Sequence, residues 1–254
     1  MTFTVPPLPL RTRLLMLARL LTVQGSYNYE TMIGNGIAFA MEPALRMLPG
    51  GRNGEAYRAA MARESRYFNA HPYLAAVAVG ALARAELALE DPDRIERFRT
   101  AACGPLGSVG DRLVWAGWLP FCSLLALLAF GLGASPATVV GIFLVTYNVG
   151  HLSLRAWALD VGWRTGLSCG AALGSPLFRQ GPAALTRAGA ALAGVALPLT
   201  IAGVSGARPA GVLLIGAVGT AGAVALAASG GRVQGWRAAL LLLTIACVAA
   251  VVIP

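Results

Sequence analysis

Apolar residues follow two rhythms along this chain. From about residue 113 they form long blocks, at 113–132, 135–152, 188–206, 209–229 and 237–253. Each has close to the ~20 helical residues needed to cross a hydrocarbon core of ~30 Å, so the pattern predicts five spans. Before residue 112 the runs are shorter and mixed. Residues 11–23 read as an amphipathic helix lying at an interface, behind the stiff Pro6-Pro7-Leu8-Pro9 lead. Over 24–48 the period is also helical, and Gln24, Asn28, Thr31, Asn35 and Glu42 fall at spacings that put them in one polar stripe.

A charged helix is predicted over 54–68, carrying Arg58, Arg63, Glu64 and Arg66, and Pro72 suits the first turn of another over 72–90. That second helix is apolar only until Arg84 and Glu86. It is too short to span and reads as a re-entrant element. "EDPDRIERFR" reads as a solvated linker. In "CGPLGSVGD", Gly104, Pro105, Gly107 and Gly110 predict a break in the helix, with Asp111 capping the helix that follows. These elements make an all-α integral membrane bundle. Residues 1–112 hold the amphipathic helix and re-entrant hairpin, and residues 113–254 the transmembrane helices.

Composition excludes most other classes. The 254 residues are 57% hydrophobic and 12% charged, with mean hydropathy +0.67, where a soluble domain is about a quarter charged. All 20 basic residues are arginine, against 11 acidic ones, for a net charge of +9. On a membrane protein such an excess belongs to cytoplasmic loops facing anionic lipid. With residues 1–112 inside, every arginine after the first span except Arg208 also falls inside, which predicts a cytoplasmic N-terminus. No basic patch interleaved with aromatics points to nucleic acid. Cys103, Cys122, Cys169 and Cys247 are too scattered for a disulfide framework or a metal site, and no cofactor is expected. Arg19 interrupts the first apolar run and no cleavage site follows, so a cleavable signal peptide is not expected.

Broken backbone at membrane depth survives only where protein or a cavity surrounds it. Interrupted hydrophobic segments therefore point to a transporter's substrate site. Four stretches also carry a family resemblance: "QGSYNYETMIGNGIAFAMEPALR", "RYFNAHPYLAAVAVGALARAE", "GPLGSVGDRLVWAGWLP" and "YNVGHLSLRAWALDVGWRTGLS". In that order they resemble the IID membrane component of the mannose/fructose/sorbose class of the bacterial sugar phosphotransferase system, over residues 14–170.

The resemblance implies a half-transporter. It would pair with a IIC membrane partner, assemble as a trimer of IIC–IID pairs and bind a hexose-type sugar in the inner membrane. A cytoplasmic IIB protein, charged by IIA, would phosphorylate that sugar, and the chain alone would be non-catalytic. Asn28, Asn69, His71, Asp111, Asn148, Gln24 and Trp115 are the residues expected to face it, with Tyr27 nearby in sequence. Amides and single carboxylates suit hydroxyls that both donate and accept.

Each of these residues has a plainer role beside the functional one. Asn69 and His71 are placed to cap the helix at Pro72, and Asp111 to cap the first span. Asn148 and His151 can bond helix to helix, and Gln24 and Asn28 can pack on the IIC partner. Arg155, Asp160 and Arg164, with Trp157 and Trp163, read as interfacial anchoring, with IIB docking as the alternative. His71 as a phosphate carrier does not fit the family's use of separate soluble proteins for that step.

The chain departs from the family at Tyr27, Thr31, Ala70 and Arg112, the last following the presumed cap. A non-transporting scaffold or sugar-sensing relic is therefore the second reading. A stand-alone membrane enzyme using Asp111, His71 or Asp160 is the third.

Overall fold

The computed structural model describes residues 7–205 together with 218–219 and 221–222. Its α-helices are α1 (Leu10–Leu20), α2 (Gly34–Leu45), α3 (Glu55–Glu64), α4 (Ala75–Leu87), α5 (Pro92–Gly110), α6 (Leu119–Gly131), α7 (Pro136–Thr165), α8 (Gly170–Leu173) and α9 (Pro176–Ser205). A π-helical stretch, Asp111–Trp118, joins α5 to α6. Among the described residues there is no named strand, only the isolated bridges Asn28–Met32 and Met32–Phe68. The chain is an all-α membrane protein, and helical stretches at Pro92–Gly131, Pro136–Ser168 and Gly170–Val204 are long and apolar enough to cross a bilayer. They extend the spans expected at 113–132, 135–152 and 188–206. Those expected at 209–229, apart from residues 218–219 and 221–222, and at 237–253 lie outside the described residues.

Two compact units make up the chain: Met1–Ala116 with Asn148–Pro182, and Gly117–Tyr147 with Ala183–Pro254. In the first, α1 lays Met16 and Leu20 against α2, which buries Ile37, Met41 and Leu45. Helix α4 is apolar nearly all round, "AAVAVGALA", and nearly all of it is buried, as such a pattern requires. It packs against α2 and α5 and meets α7 at glycine: a Cβ on Gly80 would lie 2.4 Å from the Leu159 carbonyl oxygen.

This unit also buries charge. Glu64 and Arg99 pair with 0% and 1% of their side chains exposed; burial pushes the Glu64 carboxyl up, against the pull of Arg99. Arg63 grips Glu86 through Nε and Nη2 at 2.8 and 2.9 Å. The carboxylate of Glu42 accepts from Arg19, Arg46, Arg52 and Tyr57. Burial raises the Glu42 carboxyl, but the arginine hydrogen bonds outweigh it and bring it down to about 2.

The second unit is plainer. Arg187 is the only charged residue among its described positions. Ser123 and Thr146 return their hydroxyls to carbonyls one turn back in their own helices. Thr200 donates across to the Leu127 carbonyl at 3.2 Å.

Three expectations change. Residues 24–33 are a chain of turns rather than the first half of a helix, so the predicted polar stripe does not exist as a face; α2 begins only at Gly34. "EDPDRIERFR" is not a linker. Asp91 caps Asp93 N–H at 3.3 Å, Pro92 takes the first helical position, and α5 runs on through the segment. "CGPLGSVGD" is helical throughout, and Asp111 has helical dihedrals instead of a capping role. Proline inside a helix removes one backbone bond and crowds the preceding turn. Here the irregularity is a π-helical stretch beginning at Asp111 rather than a break.

Candidate functional site

Between α3 and α4 the chain runs without regular structure through "RYFNAHP", and three neighbours hold it. Arg99 Nη2 donates to the carbonyls of Arg66 and Tyr67 at 3.0 and 3.3 Å. Phe68 N–H donates to the Thr31 carbonyl, and Ile33 N–H to that of Phe68, at 3.2 and 3.0 Å. Asn69 N–H donates to Cys103 Sγ at 3.4 Å. The buried ion pair of Glu64 and Arg99 thus fixes the segment that presents Asn69 and His71.

His71 lies 2% exposed, and its Nδ1 accepts from Tyr73 N–H at 3.2 Å. The ring proton must then sit on Nε2, and that N–H has no acceptor among the described residues. Burial, followed by the positive charge of Arg155, pushes the imidazole down to about 4. His71 is therefore a neutral donor at physiological pH. Gly110 is required beside it, because a Cβ there would lie 2.2 Å from His71 Cβ.

A cavity of about 440 Å³ opens along this wall. Tyr67, Asn69, His71, Cys103, Ser108 and Asp111 line it, with Ala70, Pro72, Gly104 and Gly107 completing the surface. Its volume lies within the ~300–1,000 Å³ of ligand pockets. The His71 ring centroid is 5.0 Å from Tyr73 and 4.8 Å from Trp115. Tyr73 stacks on His151 at 4.9 Å, and Arg155 sits over the Tyr73 ring at 4.5 Å while donating to the Leu20 carbonyl. His151 Nε2 is 3.0 Å from Asn148 Oδ1. Trp115 keeps 41% exposure.

Of the residues expected to face a sugar, Asn69, His71 and Asp111 share the cavity, and Trp115 packs on His71. Asn148 joins the same cluster indirectly, through His151 and Tyr73. Gln24 and Asn28 lie outside the cavity, on the exposed turns. Asn28 Oδ1 accepts from the backbone of Glu30 and Thr31 at 2.9 and 2.8 Å, while its amide donates to Ser26 O and Thr31 Oγ1. Asn28 shapes the turn whose Thr31 carbonyl holds Phe68. Arg112 turns its Nε to the Ser108 carbonyl one turn back and does not line the cavity.

Sequence reasoning missed Tyr73, Cys103 and the orienting part of Arg99. Tyr73 was legible in "HPY", two residues beyond the histidine. Arg99 was hidden in a stretch that reads as solvated.

The model of the PTS system mannose/fructose/sorbose family IID component matches residues 9–195. The chain belongs to this family of IID components. It is 32% identical to the mannose-specific EIID component of Escherichia coli K12 over 151 residues, 57% of this chain and 52% of that protein. It is 29% identical to the sorbose-specific EIID component of Klebsiella pneumoniae over 62% of this chain and 58% of that one. The fructose permease IID component of Bacillus subtilis 168 is 30% identical over 56% and 52%. The chain spans about half the length of the curated relatives it matches.

In structure this IID chain resembles one from the mannose transporter ManYZ in complex with microcin E492. The TM-score is 0.55 at 24% identity, over 74% of this chain and 69% of that one. A second solved chain, described as a membrane protein, gives a TM-score of 0.63 at 24% identity, over 72% and 68%. At that identity the likeness concerns the fold.

Proposed function

We propose that this IID chain is half of a mannose-class sugar permease of the phosphotransferase system. It pairs with a IIC membrane partner, and the cavity between the Tyr67–Pro72 segment and the Cys103–Asp111 turns forms one wall of the site for a hexose-type sugar. A IIB protein phosphorylates the sugar on the cytoplasmic side, where the N-terminus also lies. The chain itself transfers no phosphate. His71 supports that division, because an imidazole held in the Nε2–H form by Tyr73 N–H offers a donor rather than a nucleophilic lone pair.

One observation carries this reading: a cavity lined by Asn69, His71 and Asp111, with the half-exposed Trp115 packed on the His71 ring. Hexose recognition combines such hydroxyl partners with an aromatic face. Individual net hydrogen bonds give only ~0.5–1.5 kcal/mol, so several must act together to reach micromolar affinity, about 8 kcal/mol. Movement of this element against a fixed scaffold would expose the cavity alternately to each side. Arg112 lies along its own helix outside the cavity lining, which supports the transporting reading over the relic.

The test is uptake of labelled hexose in cells expressing the chain with its IIC, IIB and IIA partners. Asn69→Leu and Asp111→Leu are each expected to weaken sugar affinity by roughly fivefold, about 1 kcal/mol per lost hydrogen bond. No uptake of any hexose by an assembled wild-type complex would leave the scaffold or relic reading in its place.

A further inference from the structure

Three carboxylates meet two guanidiniums where side chains of α3, α4 and α5 converge. Glu64 Oε2 accepts from Arg99 Nη1, Glu86 takes both donors of the Arg63 fork, and Glu96 Oε2 lies 3.6 Å from Arg99 Nε. Glu64 and Glu86 are buried, while the Glu96 side chain keeps 44% exposure. Among the described residues no other ion pair reaches these three carboxylates. Arg84, also on α4, donates instead to the carbonyls of Trp163 and Arg164. Helix α2, which packs on α3 as well, carries only Glu42, held by its own arginines. With every carboxyl ionised, the cluster would hold one negative charge too many.

One oxygen shows where a proton belongs. Glu64 Oε1 is buried and, as a carboxylate oxygen, has no hydrogen-bond partner among the described residues. Its carboxyl has the Glu86 carboxylate within hydrogen-bonding reach. Two bare carboxylates only accept and therefore repel; protonated, one donates an O–H to the other. A single proton on Glu64 satisfies Oε1, balances two negative charges against two positive ones, and leaves Glu86 on Arg63. Burial pushes the Glu64 carboxyl up to about 8 against the pull of Arg99, and the Glu86 charge adds to the rise.

We propose that Glu64 and Glu86 hold one proton between them at physiological pH, and that this proton sets the grip of Arg99 on the cavity wall. The guanidinium that touches Glu64 also holds the carbonyls of Arg66 and Tyr67, just ahead of Asn69. Release of the proton sets two like charges side by side, and Arg99 turns to the added charge and lets go of those carbonyls. The wall is firm while the proton is bound and loose once it leaves. None of this rests on the sugar assignment.

Glu64→Gln tests the bound proton, because an amide copies the protonated acid: it accepts from Arg99 and donates to Glu86. Unfolding of the full-length chain in detergent micelles is compared for wild type and variant across pH. The unfolded chain releases the proton near 4.5 and the folded chain near about 8. The wild type should therefore lose stability relative to the variant as pH rises through that window, by up to about tenfold in the folding equilibrium per pH unit, and level off above it. A plain ion pair with Arg99 has the opposite sign, the wild type gaining on the variant as pH rises, and that result overturns the proposal. A variant that cannot fold at neutral pH overturns it too. Infrared spectra of the wild type give a reading that needs no variant: the C=O band of a protonated carboxyl should be present at neutral pH and vanish above about 8. Its absence at neutral pH overturns the proposal. The wall is read at Cys103, with Cys122, Cys169 and Cys247 replaced by alanine. The maleimide labelling rate, divided by that of the same chain carrying Glu64→Gln to cancel the thiol's own ionisation, should rise as the carboxyl band disappears. A flat ratio while the band titrates overturns the control of the wall.

Discussion

The two compact units of this chain treat polar groups in opposite ways. Met1–Ala116 with Asn148–Pro182 buries Glu42, Glu64, His71, Glu86, Arg99 and Arg155. In Gly117–Tyr147 with Ala183–Pro254, no described ionic side chain is buried. Burying a charge costs several kcal/mol unless a counter-ion and hydrogen bonds compensate. The first unit meets much of that condition because its short helices and turns supply arginines to the carboxylates and carbonyls to the arginines. Long spans that satisfy their own backbones have nothing comparable to offer. Chemistry is therefore concentrated in one unit, and the other contributes apolar helix.

The largest expected consequence lies at the buried pair. Arg99→Ala strands Glu64 and releases the Arg66 and Tyr67 carbonyls, and should cost about 3–5 kcal/mol. Arg187→Ala, on the exposed surface of the second unit, should stay within about 0.5 kcal/mol. Denaturant unfolding in detergent micelles measures both, and equal losses would erase the contrast between the units.

Acid should act on the first unit alone, since both histidines lie there. His71 is depressed from an ordinary value of 6.5 to about 4, so the unfolded chain binds its proton first as pH falls. The contribution to stability is complete above about pH 6.5 and declines toward pH 4, by roughly 3 kcal/mol at most. Thermal melts across that window should show this component in the wild type and lack it in His71→Gln.

Smaller effects are expected at glycine, with opposite signs. Gly80→Ala places a methyl group 2.4 Å from the Leu159 carbonyl oxygen and should cost about 1–3 kcal/mol through overpacking. Gly141→Ala meets nothing within 4 Å and should gain up to about 1 kcal/mol from helix propensity. The same melts distinguish them.

The sequence makes the second unit legible because uninterrupted apolar runs leave few alternatives. Among the described residues its helices appear near the expected places, and the helix expected to end near residue 152 runs on to Thr165. The first unit was harder to read, for identifiable reasons. "QGSYNYETMI" has helical spacing, but Asn28 bonds its own turn more favourably than a helix allows. In "EDPDRIERFR", Arg94 and Arg97 pair locally with Glu90 and Asp91, but Arg99 pairs with Glu64 of another helix, which local composition cannot reveal. "CGPLGSVGD" looks like a break, but the chain absorbs Pro105 and its glycines within helix, and Gly110 serves close approach to His71. Asn69, His71 and Asp111 were legible as neighbours because both motifs interrupt hydrophobic segments. Gln24 and Asn28 were drawn in by a periodicity that the fold does not use.

Cys103 gives the most direct test of the sugar cavity, since its thiol lies in the wall and accepts the Asn69 N–H. In the assembled permease, with Cys122, Cys169 and Cys247 replaced by alanine, maleimide labelling of Cys103 is timed with and without the transported hexose. Bound sugar should slow the labelling in proportion to occupancy, with half-protection at the affinity measured by uptake. A labelling rate unchanged at saturating hexose, in a complex that still transports it, would place the sugar elsewhere.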